Sequence, residues 1–143
     1  MEFDNSFLDL VKVLEDINDI ELSLLKCHLL IEQELDRVAL IGAEKPKYIS
    51  ESRLTFSNKI ALVRAFHDSK CESWVWGALN KLNKVRNLMA HNLSSTEIEI
   101  EITAYTILLK NEEKIWPAEL LKVKHPDFFW AVFLILSKLR GIV

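Results

Sequence analysis

The chain has 143 residues, half of them hydrophobic, with only three Gly and three Pro. That length suffices for one domain, residues 1–143, with a core of its own, and that composition excludes a disordered or loop-rich protein. The net charge of −3 argues against nucleic acid being drawn to the whole surface, so any such binding must be local.

The charge is in fact uneven along the chain. Residues 1–52 hold 5 Lys and Arg against 12 Asp and Glu, residues 53–95 hold 7 against 2, and residues 96–143 hold 6 against 7. From Gly77 to Asn92 there is no acid, while Lys81, Lys84 and Arg86 are present. Such a stretch suits a phosphate-bearing ligand, an acidic partner, or the chain's own acidic first half.

Asn5 or Ser6 is placed to cap a first helix carrying Phe7, Leu8, Leu10, Val11 and Leu14. Asn18 with Glu21 forms a capping-box pattern ahead of a strongly periodic segment. There Leu24, His28, Ile31, Leu35 and Val38 make one stripe, with Leu22, Leu25 and Leu29 beside it. His28, set among leucines, reads as a satisfied core or interface histidine. Gly42 and then Pro46 end the element, and residues 43–54 read as a loop. Thr55 or Ser57 starts the next helix, with Phe56, Ile60, Val63 and either Phe66 or His67 inward. Ser69 to Glu72 is a second capping-box pattern, opening a helix over about 70–92 that pairs antiparallel with its predecessor.

On that helix Val75, Ala78, Leu79, Leu82, Val85 and Met89 form an apolar stripe. Asn80, Asn83, Lys84, Asn87 and His91 form a polar one. Asn is a mediocre helix former, because its side chain competes for backbone hydrogen bonds. Three of them in line mark either a solvated face, a dimer seam or a polar site. Trp74 and Trp76 diverge around the helix, so that one packs inward and the other faces outward. Residues 97–109 alternate Ile with Glu, yet Ile98, Ile102, Tyr105 and Leu109 also fit a helix, and a lone strand would lack a partner. We read the stretch as helix, capped by Ser94 with Glu97. Pro126 opens a last helix that runs to Arg140 and stops at Gly141. The aromatics Phe128, Phe129, Trp130 and Phe133 cover most of its circumference, which suggests burial on several sides, in part by a second subunit.

The expectation is therefore an all-α, antiparallel bundle of about five helices. No signal peptide is visible and the longest apolar run, Phe128 to Leu136, is too short to span a bilayer. Cys27 and Cys71 stand in no metal-ligand spacing and read as free thiols of a cytoplasmic protein. The chain shows no Gly-rich phosphate loop, zinc spacing, paired catalytic carboxylates or nucleophile elbow. Neither a metal nor another cofactor is expected.

At Arg86-Asn87-Leu88-Met89-Ala90-His91 the sequence resembles a HEPN domain, an all-α family marked by Arg, four to six residues, then His. The stretch from Arg53 to Leu93 further resembles the branch that includes mannitol operon repressor-like proteins. In active members the resemblance implies metal-independent RNA cleavage at a site shared across a homodimer, as in toxins and defence components. His91 would then be the acid/base for the ribose 2′-hydroxyl, since imidazole titrates near neutrality. Arg86 would stabilise charge building on the phosphoryl oxygens. Asn87 would orient the phosphate or the His, and Lys84, Asn83 and Asn80 would extend the RNA-binding face. Arg86 and His91 lie five residues apart, about 140° around a helix, so aiming both at one phosphate calls for two copies. Toxin-type members often carry a Tyr two residues past the His, where this chain has Leu93. That departure favours the second reading, a non-catalytic regulator or adaptor of transcription acting through protein contacts, with an antitoxin-like or other protein partner.

Overall fold

The computed structural model describes residues 19–91 and 126–143, together with Lys12, Leu14, Glu97, Ile100 and Glu101; for 126–130 it describes the backbone alone. Every regular element among these is helical, so the protein is an all-α bundle. We label the helices with described bounds α1 (Ile20–Ala39), α2 (Lys47–Glu51), α3 (Phe56–His67), α4 (Ser73–Ala90) and α5 (Pro126–Arg140). The expected caps at Asn5, Ser6 and Ser94 lie outside the described residues, as do Leu93 and the aromatic side chains at 128–130. Within the ambiguous stretch, Glu97, Ile100 and Glu101 are helical.

The cap of α1 is Asp19 and not the expected Asn18, which lies outside the described residues; the Asp19 carboxylate accepts from the Glu21 N–H at 2.9 Å. Helix α1 buries Leu24, Cys27, His28, Ile31, Leu35 and Val38, the apolar stripe read from the sequence. Leu22, Leu25 and Leu29 are instead 43%, 41% and 51% exposed, because the packed arc of α1 is narrower than its run of leucines. Gly42, at φ +85°, turns the chain out of α1 in the left-handed conformation that glycine adopts without a Cβ penalty. The segment after it is not all loop. Lys47–Glu51 forms a short helix behind Pro46, whose fixed φ suits a helix start.

Thr55 then caps α3, its hydroxyl accepting from the Asn58 N–H at 3.1 Å. Phe56, Ile60, Val63 and His67 face inward, while Phe66 is 53% exposed. The second capping box does not form. Ser69 lies in a 3-10 turn, Asp68–Lys70, and the Glu72 side chain makes no cap bond. Its carboxylate is held instead by Lys138 Nζ at 2.8 Å and Trp74 Nε1 at 2.7 Å.

Helix α1 packs on α3, α4 and α5, and α4 also packs on α3 and α5. At the heart of the bundle Trp76, Leu24, Ile31, Leu35, Leu79 and Leu82 are fully enclosed. Each large apolar side chain so buried contributes about 1.5–3 kcal/mol relative to exposure. Arg37 fastens the end of α5, donating to the Ile142 and Leu139 carbonyls at 3.1 and 3.0 Å while its Nε bonds Glu34. It thereby satisfies carbonyls that a helix end leaves without partners. No described helix is long and apolar enough to cross a membrane.

Candidate functional site

The last turns of α4 meet the first turn of α3 and the middle of α1 around a half-open hollow of ≈ 450 Å³. Its walls are His28 and Glu32 from α1, Leu54 to Ser57 at the start of α3, and Asn83, Arg86 and Asn87 from α4. The short link between α3 and α4 dictates this meeting, since it makes the pair antiparallel and sets the end of one beside the start of the other.

Three of the six residues expected to form the site share this hollow. Asn83 and Arg86 are half-buried and Asn87 is exposed at the rim. Arg86 makes no ion pair with any described residue. The neighbouring acid Glu32 is taken by Lys59 at 3.3 Å, and Lys59 also holds Asp36 at 2.9 Å. Burial tends to lower the Lys59 pKa, but its bonds to Asp36 and Glu32 outweigh that and raise it. The basic middle of the chain therefore docks on the acidic first half through Lys59 and leaves Arg86 out.

The other three lie elsewhere. Asn80 and Lys84 are exposed, Asn80 donating back to the Trp76 carbonyl at 3.0 Å. His91 is the exposed C-cap of α4, one turn beyond Asn87, and does not line the hollow. Within one copy, then, Arg86 and His91 are not brought to one point. On the same helix Lys81 is held by Glu101 at 3.3 Å.

The residue that sequence reasoning passed over is His28. It is buried as expected, at 8% exposure, but its Nε2 has no hydrogen-bond partner. Its ring stacks on Phe56 with centroids 4.0 Å apart and 27° between planes. Burial lowers its pKa below the usual 6.5, and the charges of Arg86 and Lys59 push the same way; hydrogen bonding toward the Asn83 side chain, which favours the protonated ring, and the charge of Glu32 oppose them. His28 is therefore neutral at neutral pH. The available signal was Glu32 one turn on, which places His28 at the edge of the apolar stripe rather than in its middle.

A second hollow of ≈ 360 Å³ lies between the end of α1 and residues Ile49 to Leu54. It is walled by Asp36 and Lys59, which are already paired with each other. Among the described residues no three His, Cys, Asp or Glu side chains gather as a metal ion would require. Cys27 is fully enclosed, and burial pushes its thiol far above the reactive range. Comparison with known protein families, with curated proteins and with solved structures finds no match to this chain.

Proposed function

We propose that the protein is a HEPN-type, metal-independent endoribonuclease, a toxin or defence component that cuts RNA by attack of the 2′-hydroxyl on the adjacent phosphate. The observation that carries the reading is Arg86, a guanidinium without an ion pair among the described residues, set between Asn83 and Asn87 in a half-open hollow. An unopposed guanidinium with flanking amide donors is what phosphate recognition needs. His91 supplies the acid/base group from the exposed end of the same helix. Because the two side chains diverge, the active unit is a homodimer whose copies pair along the exposed face bearing Asn80, Lys84, Asn87 and His91.

The test is cleavage of a mixed RNA pool by purified protein in EDTA, wild type beside His91→Ala. Products ending in 2′,3′-cyclic phosphate from the wild type, and none from the folded variant, are the expected result. A wild-type protein that is dimeric, folded and inert would end this reading.

One observation favours the alternative of a regulator or adaptor working through protein contacts. The outer face of α1 exposes Leu22, Leu25 and Leu29 in line, an apolar strip of the sort that partner helices cover.

A further inference from the structure

We infer that the hollow is a pH-sensitive binding site for the phosphate group of a nucleotide, tuned by His28, which lies outside the Arg86–His91 motif. The inference deepens the nuclease reading and rests on it for Arg86 as the phosphate-binding cation. Four observations converge on it. Among the described wall residues Arg86 is the one cation and Glu32 the one acid, and Glu32 is already paired with Lys59 at 3.3 Å. Asn83 and Asn87 place two amides on the same wall, and Thr55 and Ser57 place two hydroxyls opposite, at the first turn of α3. The Thr55 hydroxyl accepts the Asn58 N–H, which leaves its own proton to donate. His28 contributes a ring that is nine-tenths buried, with an unpartnered Nε2, on the same wall as the Asn83 amide. The space of ≈ 450 Å³ exceeds what a phosphate alone fills, so part of the attached sugar enters with it.

The coupling runs through charge. The charged groups around His28 are Glu32 on its own helix, Lys59 on α3 and Arg86 on α4. With the hollow empty, two cations and burial outweigh one acid and keep the imidazole neutral. A dianion held by Arg86 reverses that balance, and His28 takes up a proton. By linkage, anion affinity must rise as pH falls. His28 acts through Asn83 and through its charge, so it is a positioning residue; no proton transfer to substrate is assigned to it.

Inorganic sulfate is the suitable probe, because it does not itself titrate between pH 5.5 and 8. Calorimetric titration with sulfate at a series of pH values should show affinity climbing toward pH 5.5 in the wild type. Arg86→Gln should lower affinity about tenfold or more at every pH, the usual consequence of losing a charged hydrogen-bond donor. His28→Gln should leave binding near its pH 8 level and flatten the pH profile. Lys26→Gln, on the outer face of α1, should behave as wild type. A short RNA oligonucleotide and a nucleoside monophosphate, run in parallel, tell a strand phosphate from a free one by which competes with sulfate more strongly.

Sulfate affinity that does not change with pH, or that survives Arg86→Gln, would overturn the inference even if RNA is cut. Conversely, pH-dependent sulfate binding in a protein that cuts no RNA would leave this site standing and remove the nuclease reading.

Discussion

At the first turn of α4 Glu72 is bonded to Lys138 and Trp74, Cys71 lies against the Lys138 carbonyl, and Trp76 is fully enclosed. About four turns later, Arg86 has no ion pair among the described residues, Asn83 and Asn87 line open space, and His28 keeps a nitrogen unpartnered. The same helix thus has a closed end and an open one. At the closed end Glu72 and Cys71 tie the start of α4 to α5 through Lys138, and Lys138 and Trp74 hold the Glu72 carboxyl below its ordinary pKa. At the open end polar groups are half-buried, where their desolvation is paid in part and not returned by partners within the chain. Trp76 Nε1 and both His67 ring nitrogens are also buried without partners among the described residues, but they line neither hollow; at the open end such groups gather around space, as in a ligand site before its ligand arrives.

The largest effect expected at the closed end is that of Trp76→Ala. Deleting a fully buried indole should cost about 3–5 kcal/mol in urea unfolding, enough to threaten the fold of a domain this size. A loss under about 1 kcal/mol, the scale of a surface substitution, would mean that this end is not the anchor described.

A smaller effect sharpens the contrast from the open side. The His28 pKa is lowered in the folded state by burial first and by Arg86 and Lys59 next. A group whose folded pKa is depressed gives stability that is fully present above its unfolded pKa and is lost as pH falls through the folded value. Unfolding free energy should therefore decline as pH drops below 6.5, the ordinary value, before most carboxylates begin to protonate. In His28→Gln that early part of the decline should be absent. Identical profiles for the two proteins would show that His28 is not held neutral by the fold.

Much of the fold was legible in the sequence because it rests on periodicity. The arc Leu24, His28, Ile31, Leu35 and Val38, and the starts at Thr55 and Pro126, follow from side-chain spacing and local capping chemistry. What spacing could not convey was competition. The box at Ser69 to Glu72 fails because Lys138, from the far end of the chain, holds the Glu72 carboxylate. The short helix Lys47–Glu51 was hidden by its brevity and by the proline before it. The candidate site divides the same way. Asn83, Arg86 and Asn87 lie on one helix and announce themselves as a stripe, whereas His28 and Thr55 reach the hollow from other elements. No one-dimensional pattern links them.

Cleavage of RNA in EDTA by Arg86→Gln, at matched folding, tests the central claim most directly. The expected result is a loss of about a hundredfold or more, the scale of removing one donor to a developing oxyanion, with the unfolding midpoint unchanged because no ion pair among the described residues is broken. Undiminished cleavage, or a midpoint lowered by several degrees, would contradict it and return Arg86 to a structural role.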